Sequence, residues 1–257
     1  MNNYQLLLDL HKPQKRQGPG GDRETLKAID LAGLDRKTSR NTPLKIADLG
    51  CGTGASSLIL ADYLAAELTA VDFLPGFLEE LEVRAKRRGL VDQITPLCCS
   101  MDELPFSEQD YDLIWSEGAI YNIGFERGLQ NWNPYLKLGG LLVISEITWT
   151  IASRPVEIQD YWQAAYAEID LASAKLSLLE SNGYSPIGYF TLPESCWLEN
   201  YYYPLQNNFE NFLKQHDNSQ DAQDIVAAEK QEIEIYKQYK NYYSYGVYIA
   251  KKISETL

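Results

Sequence analysis

The sequence predicts an α/β fold: a doubly wound, mostly parallel sheet of seven strands with helical cap segments. Three observations carry this reading. Five short apolar runs between residues 44 and 148 alternate with helical patterns, as parallel strands joined by crossover helices do. The first run passes directly into a glycine-rich turn, Gly50-Cys51-Gly52-Thr53-Gly54, and the second ends on a carboxylate, Asp72. Two later strand-like stretches, near 185–192 and 242–250, complete the seven.

Taken in order, the chain opens with a polar, Lys/Arg-rich arm carrying Leu6, Leu7, Leu8 and Leu10. The turn Gln17-Gly18-Pro19-Gly20-Gly21 follows, with Asp22 as N-cap of a helix over 23–33, then a loop over 38–43. Residues 44–49 read as a buried strand, 57–64 as a helix and 67–72 as the second strand. A helix over 75–88 stops at Gly89, and strands follow over 94–100 and 111–116. Asn133 caps a helix with Pro134 at its first position, ended by Leu138-Gly139-Gly140, and 141–148 is the fifth strand. Helical segments over 155–181 and 206–240 flank the sixth strand. The reading thus divides the chain into an N-terminal helical arm or lid, 1–43, and a main domain, 44–257, with cap insertions at about 150–182 and 193–241.

Composition narrows the function. The 257 residues are 45% apolar and 23% charged, enough for a full core without disulfides or metals. A net charge of −13 argues against a nucleic-acid partner, although residues 1–40 are net positive. No run reaches the length of a membrane span, and the N-terminus lacks the basic start of a signal peptide, so an intracellular, cytoplasmic protein is expected. Cys51, Cys98, Cys99 and Cys196 form no C-x-x-C pair and read as buried thiols. With only His11 and His216, a His-based metal site or a Ser-His-Asp triad has almost no material, and no metal is expected.

A glycine turn between a strand and its helix lets a ligand approach the backbone and meet free N–H groups. Gly50, Gly52 and Ala55 satisfy the dinucleotide fingerprint, and Asp72 sits where a ribose-binding acid belongs. Those two signals alone would support an NAD-dependent dehydrogenase. Asp48 speaks against it, because a carboxylate two residues before the first glycine repels a pyrophosphate and attracts a cationic ligand. Asp48 as a partner of the helix dipole is the plainer alternative.

Here the sequence resembles the class I S-adenosylmethionine-dependent methyltransferases. Ala47-Asp48-Leu49-Gly50-Cys51-Gly52-Thr53-Gly54 is similar to their first motif almost letter for letter. The resemblance continues through Val71-Asp72-Phe73, residues 100–106, residues 112–118 and Leu138-Gly139-Gly140, so it covers about 44–150. Within the family the chain looks most like small-molecule methyltransferases related to quinone-biosynthesis enzymes, and residues 121–126 point to a bacterial or archaeal subgroup. The resemblance implies S-adenosyl-L-methionine as cofactor. It places the backbone of Gly50, Cys51 and Gly52 along the methionine part, Asp48 near its ammonium, Asp72 on the ribose and Phe73 on the adenine. Many relatives have Asp where this chain has Ser100, so either Ser100 or Asp102 reads the adenine amino group, with the Met101 N–H on a ring nitrogen. Ser116 and Glu117 would lie beside the sulfonium.

Glu117 and Tyr121 are the candidates for a catalytic base, with His11 an outsider on the lid; Glu117 as a helix-capping acid is the alternative. Arg16 reads first as a solvated arginine, and from a folded-over arm it could grip the methionine carboxylate. His11 reads as a surface residue, and Trp115, Tyr121, Trp149, Tyr161, Trp162 and Trp197 each read as core. The expected reaction is in-line transfer of a methyl group to a small-molecule acceptor, with substrate choice in residues 1–40, 150–182 and 193–241. The rivals are the dehydrogenase and a non-catalytic partner subunit of the same fold. A homodimer is the candidate assembly.

Overall fold

The structure, a computed structural model, describes residues 3–34 and 42–254. Helices α1 (Asn3–His11) and α2 (Asp22–Leu31) precede the sheet. Then β1 (Lys45–Leu49), α3 (Ala55–Leu64), β2 (Glu67–Asp72), α4 (Pro75–Arg88) and β3 (Ile94–Cys98) alternate, followed by β4 (Tyr111–Glu117), α5 (Phe125–Trp132) and β5 (Leu136–Trp149). The C-terminal part holds α6 (Val156–Ala165), the two-residue β6 (Asp170–Leu171), α7 (Ala172–Ser181) and β7 (Tyr184–Thr191). It closes with α8 (Glu194–Trp197), α9 (Tyr203–Gln215), α10 (Gln220–Tyr239) and β8 (Tyr243–Lys252).

Seven strands run in the order β3-β2-β1-β4-β5-β8-β7, with β6 paired to the end of β5. The first five are mutually parallel, whereas β8 lies antiparallel between β5 and β7. The doubly wound sheet expected from the alternating runs is therefore observed. Its strands are apolar because helices cover both faces. Along β4 the side chains alternate: Leu113 and Trp115 enter one core, Ile114 the other. Glu117, two residues past Trp115, consequently faces the same side as Trp115, where α2 and the arm lie.

Several local expectations are corrected. Gly21, extended at φ −164°, is the N-cap of α2; Asp22 is its first residue and accepts from Lys15 (2.6 Å) and Arg16 (3.4 Å). Asn133 and Pro134 form one 3₁₀ turn, 133–135, instead of a helix. The helix lies upstream, as α5, where Phe125, Leu129 and Trp132 form a fully buried stripe at i, i+4 and i+7. Strand β5 already starts at Leu136 and bulges over 137–140, with Gly139 at φ +80° and Leu138 exposed. The two long helical segments are each divided, the first by β6 and the second by a turn where Asp217 and Asn218 take positive φ. Only Cys51 and Cys196 are buried; Cys98 is exposed and Cys99 half-buried, because β3 is an edge strand. The loop expected over 38–43 lies outside the described residues as far as 41.

The arm is firmly packed. Leu6 and Leu10 are buried, and Asn208 of α9 donates to the Leu10 carbonyl at 3.0 Å. Arg84 of α4 donates to the carbonyls of Gln14 (2.8 Å) and Lys15 (3.1 Å), and Asn200 donates to that of Gly20 (2.8 Å). Among the described residues no helix is long and apolar enough to cross a membrane.

Candidate active site

The C-terminal ends of β1, β2, β3 and β4 converge at the switch point of the sheet, where ligands bind in this architecture. A cavity of about 700 Å³ opens there. Its floor is the turn after β1. Gly50 (φ +74°) and Gly52 (φ +55°) take left-handed conformations that side chains disfavour, and an added Cβ would strike Ala119 at Gly50 and Gln17 at Gly52. The Gly50 and Cys51 N–H groups both donate to the Val71 carbonyl at 2.9 Å, tying the turn to β2.

Asp72 ends β2 at the cavity wall. Its two oxygens accept from the Gly52 N–H (2.8 Å) and the Leu74 N–H (2.9 Å), which fixes the carboxylate in one orientation and leaves lone pairs for a ligand. Desolvation raises its pKa, and those backbone bonds oppose the rise. Phe73 beside it is 63% exposed and meets Tyr4 of α1 edge-on. Ser100, Met101 and Asp102 line the same end. Ser100 Oγ accepts from the Asp102 N–H, and the Met101 carbonyl accepts from Trp132 Nε1. Asp102 Oδ2 lies 3.4 Å from Arg127, whereas Oδ1 is buried with no hydrogen-bond partner.

Two expected residues do not reach the cavity. Asp48 is fully buried beneath the turn, where its Oδ2 accepts from Ser56 (2.8 Å) and Ser57 (2.6 Å) at the start of α3. Burial raises its pKa to about 7. Asp48 thus holds the first turn of α3 against β1, close to the helix-terminus alternative. Ser116 is also fully buried, and its hydroxyl donates to the Leu49 carbonyl, cross-linking β4 to β1.

Glu117 lines the cavity but is heavily engaged. Its Oε2 accepts from Arg16 Nη1 at 2.7 Å, and its Oε1 accepts from Trp115 Nε1 (3.0 Å) and Thr25 Oγ1 (2.8 Å). It ties the arm to β4 and has little capacity left to act as a base. Arg16 is 6% exposed, which corrects the solvated reading; burial opposes its charge, but Glu117 and Asp22 hold its pKa up. Tyr121 stands on the cavity wall with 42% of its surface reachable, yet protein surrounds it closely enough for desolvation to raise its pKa. It is therefore a hydroxyl donor at neutral pH. His11 is a wall residue, not a surface one, with Nε2 3.3 Å from Glu229. Trp115, Trp149 and Trp197 are core, as expected.

Sequence reasoning missed Gln17, whose Oε1 accepts from the Thr53 N–H at 2.9 Å and sits against Gly52. It also missed Tyr201, Glu229 and Glu232, which complete the wall. No motif marks them. The i, i+3 spacing of Glu229 and Glu232 on one helix face was the available signal. Among the described residues no cluster of His, Cys, Asp or Glu is arranged to hold a metal.

A family model described as a methyltransferase domain matches residues 46–140. The malonyl-[acyl-carrier protein] O-methyltransferase of Herminiimonas arsenicoxydans is 31% identical over 104 residues, 40% of this chain and 37% of that one. The sarcosine/dimethylglycine N-methyltransferase of Aphanothece halophytica is 29% identical over 103 residues, with the same coverage. The matched segment spans little more than a third of either relative. A methyltransferase from Geobacter sulfurreducens, solved with S-adenosyl-L-homocysteine, superposes with a TM-score of 0.82 over 96% of this chain and 98% of that one, at 15% identity. Residues 46–140 thus match a methyltransferase domain, and the chain as a whole shares its fold with S-adenosylmethionine-dependent methyltransferases.

Proposed function

We propose that the protein transfers a methyl group from S-adenosylmethionine to a small-molecule acceptor. The carrying observation is Asp72, locked by the Gly52 and Leu74 N–H groups at the edge of a cavity floored by the glycine turn. When bound, the cofactor supplies an already activated methyl on a sulfonium, so the protein's task is mainly alignment.

The residues fit such a ligand. Asp72 would accept from the two ribose hydroxyls with its remaining lone pairs. The orphaned Asp102 Oδ1 would take the adenine amino group, while Ser100 is engaged with the Asp102 backbone. The Met101 N–H would meet a ring nitrogen, and Phe73 would cover the adenine face. Gly50, Cys51 and Gly52 would pass along the methionine part. Asp48 would act from below, by setting the turn. Arg16, held by Glu117, would present its guanidinium edge toward the methionine carboxylate. The arm over 3–21 would exclude water from the reacting groups, the work of a lid.

The dehydrogenase reading is dropped, because the matched domain and the relatives are methyltransferases. Incubation with methyl-tritiated S-adenosylmethionine and a small-molecule metabolite fraction tests the proposal. Label should move into an organic acceptor. Cofactor binding without any label transfer would favour the non-catalytic subunit instead.

A further inference from the structure

Besides the strand-end residues, the cavity is walled by Tyr121, Tyr201, Glu229, Glu232 and His11. They come from the turn after β4, the helical turn 198–202, α10 and α1, all outside the matched domain except Tyr121. Their chemistry is one-sided. Arg16 is bound to Glu117 and Asp22, and its remaining edge is the one assigned to the methionine carboxylate, so it is not left for an acceptor. His11 Nε2 lies 3.3 Å from Glu229 Oε1, but Glu229 Oε2 is buried and takes no hydrogen bond. Glu232 accepts one bond, from the Tyr202 hydroxyl at 2.8 Å. Burial raises the pKa of Glu232, and the charge of Glu229 adds to the rise. Tyr201 is 7% exposed, lines the cavity, and its hydroxyl makes no hydrogen bond to any described residue. Its ring stacks against His11, with centroids 6.3 Å apart and planes 15° apart.

We infer that the acceptor carries a cationic amine, bound between the Glu229 and Glu232 carboxylates and the Tyr121 and Tyr201 rings. This rests on the methyltransferase reading and names its substrate class. A buried carboxylate oxygen without a donor is costly, and an ammonium group supplies both the charge and the hydrogens it lacks. The tyrosine rings add cation–π attraction, and the free Tyr201 hydroxyl adds a polar contact. An anionic acceptor would face two carboxylates, with no unengaged cation among the described lining residues to receive it. A neutral acceptor would leave Glu229 Oε2 desolvated and unpaired.

The test uses purified full-length protein saturated with S-adenosylhomocysteine, titrated calorimetrically with three probes of similar shape: benzylammonium, benzyl alcohol and benzoate. The ammonium should bind at least tenfold more tightly than either of the others. Glu229→Gln combined with Glu232→Gln should weaken it by tenfold or more while leaving S-adenosylhomocysteine affinity as it was. Tyr201→Phe should weaken it several-fold, and serves if the double variant folds poorly. Benzoate or benzyl alcohol binding as well as the ammonium would overturn the inference, as would ammonium binding indifferent to the substitutions. If S-adenosylhomocysteine itself does not bind, the cofactor reading fails on its own, and the same probe series on the unliganded protein still decides whether the pocket selects cations.

Discussion

Replacing Asp72 with Ala separates a ligand-binding acid from a structural one. The carboxylate accepts from Gly52 N–H at 2.8 Å and Leu74 N–H at 2.9 Å, so its loss removes two backbone bonds worth about 1 kcal/mol each. Burial already raises the Asp72 pKa, and removing that desolvated charge offsets part of the loss. The expected fold destabilisation is about 1–2 kcal/mol, which a chain of this size tolerates. The ligand loses charged hydrogen bonds to its ribose hydroxyls, about 1.5–3 kcal/mol, or roughly 10–150-fold in affinity. Calorimetry with S-adenosylhomocysteine, alongside a thermal melt, reads both quantities. A folded variant with unchanged affinity would remove Asp72 from the site and refute the reasoning.

Gly52→Val should abolish cofactor binding, since φ +55° disfavours a β-branched residue and its Cβ would strike Gln17; normal binding would make the turn purely structural. Adding S-adenosylhomocysteine should slow amide exchange over residues 4–21, and fast, unaltered exchange there beside a protected Gly50 turn would end the lid proposal. Asp48 has a folded pKa near 7, above its unfolded value, so its stabilising contribution is full below about pH 4 and lost as pH rises through 7. Lowering pH from 8 to 5 should therefore add about 2–3 kcal/mol to stability. Glu146, likewise raised to about 7 by burial, adds a contribution of the same sign over this range, so the Asp48 share is read as the difference in slope between the unaltered protein and Asp48→Asn. In Asp48→Asn the slope should flatten, and an unchanged slope measured by denaturant titration contradicts the assignment.

The sheet was legible because burial on both faces forces continuous apolar strands, and Pro75 and Gly89 mark the ends of α4. The glycine turn and Asp72 were legible because only a few residue types satisfy that geometry. Asp48 and Ser116 were misplaced: a sequence shows that a polar residue ends a strand, but not whether it points at the ligand or back into the layer below. The bulge over 137–140 was hidden because Gly139-Gly140 after Asn133-Pro134 mimics a helix with its stop signal. Gln17, Tyr201, Glu229 and Glu232 were invisible for a different reason. They reach the cavity only through long-range packing of the arm, the 198–202 turn and α10, and no local pattern encodes that meeting.

The central claim is that the cavity at the glycine turn takes S-adenosylmethionine, and isothermal calorimetry on the purified protein tests it most directly. Titrations of S-adenosylmethionine, S-adenosylhomocysteine and NAD are compared for the unaltered protein and for Asp72→Ala. The account predicts one saturable site for the two sulfur nucleosides, weakened by the substitution, and no site for NAD. Binding of NAD alone, or of none of the three, would contradict it.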